Sequence, residues 1–223
     1  MAIWKIHYPS WEMECCGTPF SVGDEVAWIV QLESPDDLTP GLWDDCYSEV
    51  EGELRPLTGE DGPGAILRAG GLTALWAAPP PYPADSPYPA EPPQAAEPPQ
   101  AAEPPQAAEP PQAAEPPQAA GAPYPPRARL TGLLSVNEHG PEPEVVPQTT
   151  GRVRAIHVVT RGFRESAPGS RTLVPVPGEL RLRPERTCPK WFADEVPTES
   201  GDTVGHRSET GVLVTLETPD TPA

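Results

Sequence analysis

Apolar and polar residues alternate along most of this chain, with the period of two that a strand requires. Residues 3–8 place apolar or aromatic side chains at Ile3, Trp4, Ile6 and Tyr8. Residues 21–24 (SVGD) read as a turn. Over 25–32, Val26, Trp28, Val30 and Leu32 fall on one face of a single predicted strand. Another strand is predicted over 49–57. Segments 65–69 and 72–76 flank Gly70 and Gly71, a pair suited to a two-residue type I′ hairpin because both central positions need positive φ.

The same texture resumes after residue 126. Strands are predicted over 128–136, 151–160, 179–183 and 211–217. The strongest, 151–160, carries Val153, Ile156, Val158 and Val159; its apolar parity changes between Val153 and Ile156, which predicts a bulge there or burial on both faces. In 179–183, Leu180 and Leu182 are expected to face inward and Arg181 and Arg183 outward. A glycine pattern recurs as Gly52-x-Leu-x-x-Leu and Gly151-x-Val-x-x-Ile, with a shorter Gly132-x-Leu-x-Val, as in the bent strands of small barrels. Helical periodicity is nearly absent. Short strands punctuated by Gly and Pro predict a mostly β fold, a small barrel or sandwich.

Between these flanks the composition changes. Five identical copies of EPPQAA run from 91 to 120, inside a Pro-rich zone over 77–126 that has no Lys or Arg and six acidic residues. A Pro-Pro pair every six residues stops a helix and removes ladder donors, leaving extended polyproline-like chain. So little apolar surface cannot offset ordering entropy, which predicts disorder. Pro79-Pro80-Pro81-Tyr82 matches a short WW-domain ligand, although a spacer is the plainer reading. Neither flank has enough strands to close a fold without exposed edges. The chain therefore reads as a single domain with a disordered Pro-rich insertion: 1–76 is the first part of a β domain, 77–126 the acidic linker, and 127–223 the second part. A long inserted loop costs only ~0.6 kcal/mol per doubling of its length.

The net charge of −18 is unevenly spread. Residues 1–76 hold three basic and fourteen acidic side chains, and residues 127–223 hold twelve and thirteen. The overall sign argues against non-specific nucleic-acid binding. No secretory leader is visible at the start, and the longest apolar runs, 26–30 and 74–78, are far too short to cross a membrane. A cytoplasmic protein with reduced cysteines and no membrane partner is expected. The scarcity of Lys and Asn beside abundant Ala, Pro, Gly and Arg points to a high-GC, actinobacterial source.

The chain resembles a family of uncharacterised actinobacterial proteins defined by a domain of unknown function. The resemblance is carried by MECCGTPFSVGDEV at 13–26, GLTALW at 71–76, TTGRVR at 149–154, GSRT at 169–172 and CPKWF at 188–192. It spans both flanks, which fits one domain, and it implies no assigned activity and no catalytic residues.

Four kinds of chemistry compete for these residues. Cys16 and Cys188, with His139 among the possible completing ligands, are candidates for zinc, although the C-x₂₋₄-C knuckle spacing is missing and buried structural thiols are the plainer reading. Cys15, Cys16 and Cys188 offer a thiol role; Glu12 and Glu14 oppose a reactive Cys15, whereas Lys190 favours Cys188. Arg152 and Arg154 share a strand face, as do Arg181 and Arg183, so adjacent strands would form a basic strip on a nucleic-acid-binding barrel; a solvated or acid-paired face is the plainer reading. No motif assembles a nucleophile, a base and an orienting group, so catalytic residues are not assigned. The expectation is a non-catalytic binding or accessory module for a protein or small ligand, with the metal or thiol protein and the nucleic-acid barrel as alternatives.

Overall fold

A computed structural model describes residues 1–39, 42–57, 64–77, 124–140, 145–196 and 205–220. The predicted disordered segment lies, over 78–123, outside the described residues, and so does the Pro-Pro-Pro-Tyr motif.

The described chain contains strands β1 (Ala2–Pro9), β2 (Glu25–Trp28), β3 (Val30–Glu33), β4 (Ser48–Pro56), β5 (Gly64–Ala69), β6 (Leu72–Ala77), β7 (Arg127–Val136), β8 (Thr149–Glu165), β9 (Leu173–Glu185) and β10 (His206–Thr218), with one short helix, α1 (Ser10–Cys15). β7 pairs β3, β3 pairs β6, β6 pairs β5, β5 pairs β4, and β4 returns to β7, so five strands close a barrel. Closure decides between the two architectures that alternation allowed, because it leaves those strands no free sheet edge. The remaining strands extend outward from β7: β1 pairs it in parallel, β10 pairs β1, and β8 pairs β10. The far edge of β8 is shared end to end by β2 and β9. Strands from both sides of 78–123 thus pair in one sheet.

Two apolar clusters hold the sheet. The larger joins barrel residues such as Val30, Val50, Leu67 and Leu134 to Ile6, Val153, Ile156, Val158, Val212, Val214 and Leu216 of the outer strands, each 0 or 1 % exposed. Burying each such side chain stabilises by roughly 1.5–3 kcal/mol. The smaller cluster contains Trp43, Cys46, Leu133, Val159 and Leu213. Leu213 points away from Val212 and Val214 because successive strand residues alternate faces, and Val159 opposes Val158 for the same reason. The predicted bulge lies at Arg154: Thr215 pairs Ala155 but Leu216 pairs Val153. The extra residue brings Val153 and Ile156 onto the same core-facing side despite their odd spacing.

Gly70 and Gly71 adopt φ of 48° and 78° and form the expected tight hairpin. The recurring glycine pattern also has a cause. A Cβ at Gly52, Gly132 or Gly151 would sit 2.3, 2.2 or 2.7 Å from a backbone carbonyl oxygen of a neighbouring strand. Close strand approach, not turn formation, requires glycine at these positions.

Three local expectations need correction. Residues 25–32 form two strands, with the break at Ile29: β2 borders β8 and β3 enters the barrel. Alternation continues through the break because both strands face the same core. Leu182 does not face inward; it is 42 % exposed, since β9 pairs only β8 among the described residues. Finally, the early turn at Cys15-Cys16-Gly17 is the end of α1. Its N–H groups at Cys16 and Gly17 both donate to the Glu12 carbonyl, at 3.0 Å each. A helix of six residues is too short to declare a periodicity.

Candidate functional site

β1 and β7 run parallel with His7 opposite Ser135. The segments that follow them, α1 after Pro9 and residues 137–140 after Val136, therefore emerge at the same end of the sheet. This register brings together residues more than 120 positions apart. Trp11 and Cys15 stand four residues apart on α1, so they share one helix face. The His139 ring stacks on Trp11 with centroids 5.6 Å apart and planes 6° from parallel. Its Nε2 lies 3.5 Å from Cys16 Sγ, and the Cys15 and Cys16 sulfurs are 2.7 Å apart. The two Sγ atoms and one imidazole nitrogen all lie within 4.8 Å of one another, on exposed side chains.

Beneath this trio the contacts are polar and part-buried. Glu12, 1 % exposed, accepts the Glu138 N–H at 3.0 Å. Tyr8 donates its hydroxyl to Glu138 Oε1 at 2.7 Å. Burial pushes the Glu12 carboxyl above its usual range, an effect the Glu138 N–H and His139 partly oppose. Burial first, and then the Glu138 contact, pushes the Tyr8 phenol far up. The Cys16 thiol is also held above its ordinary value, mainly by its S–H contact to Cys15, then by desolvation, Cys15 electrostatics and the Glu12 and Glu138 carboxylates.

Segments 13–26 and 188–192, two of those that carry the resemblance, meet near this end of the sheet, while 149–154 lies beside the start of β1 at the other end and meets only the far part of 13–26. Cys188 N–H donates to the Phe20 carbonyl at 2.8 Å, and Val153 N–H donates to that of Asp24 at 2.9 Å. Lys190 Nζ donates to the Met13 and Gly17 carbonyls at 2.5 and 3.0 Å, closing the α1 C-terminus as a cation suits that end of a helix. Phe192 N–H donates to Glu14 Oε1 at 2.9 Å. An open cleft of about 490 Å³ lies alongside, lined by Tyr8, Cys16, Phe20, Trp28 and the carboxylates Asp24, Glu25 and Glu138.

A family model of a family of unknown function (DUF6578) matches residues 2–218. The chain belongs to that family. The match covers both flanks of the Pro-rich segment. No curated protein and no solved structure matches the chain, so the geometry of this family member has to speak for its chemistry.

Of the predicted ligands, Cys16 and His139 come together, and Cys15 joins them. Cys188 does not. It is 1 % exposed, its thiol is pushed up to about 12 by burial, and Lys190 reaches the helix carbonyls instead of the sulfur. The predicted arginine strip is arranged differently again. Arg152 pairs Glu25 at 2.9 Å, Arg154 pairs Glu217, and Arg183 pairs Glu185 and, at 2.7 Å, Glu209. Arg183 sits opposite Val158 and Arg181 opposite Thr160. Arg152 and Arg154 lie four or more residues further along β8, about 13 Å at ~3.3 Å per residue. Trp11, Glu138 and the bonding of Lys190 were not singled out as parts of a site. The Trp11–Cys15 spacing was the available signal for the first of them.

A second cleft, of about 620 Å³, borders the start of α1 and includes His7, Trp11, Gln31, Glu33, Trp43 and Asn137. His7 is 5 % exposed, and its ring lies 4.4 Å from that of Trp43. Burial, and then the nearby Arg161 charge, lowers its imidazole to about 3. Arg161 lies 3.6 Å over the Trp43 ring and donates to the Leu42 carbonyl. Among the described residues no helix is long and apolar enough to cross a membrane.

Proposed function

We propose that this family member is a non-catalytic binding module that docks a cationic segment of a partner protein on the α1 end of its sheet. The observation that carries this reading is the placement of two exposed tryptophans. Trp11 is 57 % and Trp191 70 % exposed, and both are tied to α1, one by its stack on His139 and the other by its neighbours Lys190 and Phe192. Trp28 and Trp43, by contrast, are 6 and 8 % exposed in the cores. Tryptophan, with tyrosine and arginine, is enriched among the few side chains that carry most of the binding energy at protein interfaces. The adjacent cleft presents Asp24 and Glu138, with Glu25 paired to Arg152, and its lining includes no Lys or Arg, which favours a positively charged occupant.

The nucleic-acid alternative is less favoured because Arg152, Arg154 and Arg183 already meet carboxylates of the same chain. The non-catalytic part rests on the state of the reactive groups: the Cys16 and Cys188 thiols are held above their ordinary values and His7 is buried and neutral. A reducing cytoplasm, the expected setting, keeps Cys15 and Cys16 as thiols. The test is a tryptophan-fluorescence titration of the full chain with a Lys/Arg-rich peptide and with a Glu-rich peptide of equal length. Saturable, salt-sensitive binding of the basic peptide alone is expected, lost in Trp11→Ala/Trp191→Ala. Equal responses to both peptides, or binding untouched by the double substitution, would reject the reading.

A further inference from the structure

We propose that Cys15, Cys16 and His139 form a zinc(II) site with two thiolate ligands, one imidazole ligand and one open position. The inference does not depend on the docking reading, because the ion would be held by Cys15, Cys16 and His139, with Trp11 only orienting the imidazole.

The geometry is close to what the ion needs. Zinc bonds sulfur at about 2.3 Å and imidazole nitrogen at about 2.0–2.1 Å, so tetrahedral coordination places a sulfur and a nitrogen roughly 3.6 Å apart. Cys16 Sγ and His139 Nε2 are 3.5 Å apart. The two sulfurs, 2.7 Å apart, are closer than the roughly 3.8 Å that an ion between them imposes. Both side chains are exposed, so their rotation can open that gap without disturbing the core.

Adjacent cysteines ordinarily diverge, and here the backbone explains why they do not. Cys15 is the last residue of α1, and Cys16 has left the helix at φ −125° and ψ −24°. The change of direction between them turns both thiols to one side. Lys190, bonded to the Met13 and Gly17 carbonyls, fixes that exit. The imidazole is fixed independently by its stack on Trp11, so one ligand is oriented before the ion arrives, as ordered sites require.

The surroundings also favour a cation. The Glu12 and Glu138 carboxylates act on the Cys16 thiol electrostatically, so negative potential is present where the ion would sit. Two thiolates with an imidazole form a donor set matched to zinc, whereas oxygen-rich sets suit magnesium or calcium. On binding, each S–H loses its proton to solvent, two Zn–S bonds and one Zn–N bond form, and no electrons are transferred. Two protons leave per ion, so apparent affinity rises about 100-fold per pH unit while both thiols are protonated in the free protein. The fourth position takes water or a donor from a docked partner, as an open zinc site does.

The experiment uses the full chain in a thiol-free reductant. Zinc chloride is titrated in competition with a chromogenic chelator, and native thiols are counted with a disulfide reagent before and after zinc. One zinc per chain is expected, with two thiols protected by it. Affinity should fall about 10-fold or more in His139→Ala and about 100-fold or more in Cys15→Ser/Cys16→Ser, because each lost ligand removes a bond of a three-ligand site. Circular dichroism of the variants should be unchanged, since all three side chains are exposed. Thiols that react equally fast with and without zinc would overturn the site, and so would zinc retained by the double variant. Binding of copper(I) with no zinc binding would overturn the choice of ion.

Discussion

Two clusters in this protein use nearly the same side chains in opposite settings. At the α1 end, Trp11 stacks on His139 beside Cys15 and Cys16, and all four are exposed. In the smaller core, Trp43 meets His7 near Cys46 and Arg161, and these are almost sealed from solvent. Burial makes the difference. It holds the His7 imidazole neutral and raises the Cys46 thiol, so the inner cluster packs and does not exchange. The outer cluster keeps its thiols and imidazole free to change partners. A list of residue types would not separate the two; solvent access does.

The contrast is sharpest in stability. Trp43→Ala should destabilise by about 3–5 kcal/mol, because it removes a buried ring and the face on which Arg161 lies. Trp11→Ala should change stability by no more than about 0.5 kcal/mol. Urea unfolding of both variants checks the pair, and equal losses would dissolve the distinction.

Thiol reactivity separates the clusters next. Cys15 and Cys16 should react first with a disulfide reagent in the native protein. Cys46 and Cys188, both 1 % exposed, should react at least about 100-fold more slowly and become equal only in denaturant. A fast Cys188 would mean that segment 188–192 opens in the native state.

Much of this fold was legible in the sequence, for reasons particular residues make plain. Val153, Ile156, Val158 and Val159 encode both the bulge and the burial of two faces, because strand periodicity is strict enough to expose a single extra residue. Gly70 and Gly71 encode a turn through φ alone. The candidate site was less legible because it depends on register between distant strands. Nothing local shows that Ser135 lies opposite His7, yet that pairing is what carries His139 to α1. Cys188 was grouped with Cys16 on residue type, but the paired backbone at Phe20 draws it into the core. The arginines were read correctly as outward-facing, but their partners Glu217 and Glu209 sit on β10, which sequence could not place beside them.

Acid should find the inner cluster before the outer one. His7 has a folded-state value of about 3 against 6.5 when unfolded. The unfolded chain therefore binds the extra proton, and stability present above pH 6.5 is lost as pH falls towards 3. The loss from this group is about 2 kcal/mol by pH 5. Chemical denaturation at pH 7 and pH 5 should show it in the native chain and a flatter dependence in His7→Gln. An equal slope in that variant would assign the acid sensitivity elsewhere.

The smallest expected effect concerns the surface arginines. Arg152→Gln should cost no more than about 0.5 kcal/mol, because its pair with Glu25 is exposed and screened by salt. A larger loss would give the β8 edge a structural role that its ion pairs do not suggest.

The difference between the two clusters is tested most directly by imidazole proton resonances during a zinc titration of the reduced full chain. One equivalent of zinc should shift the His139 resonances and leave those of His7 unmoved. Unmoved His139 resonances, or a His7 that responds at the same concentration, would contradict the assignment of the outer cluster as the binding site and the inner one as packing.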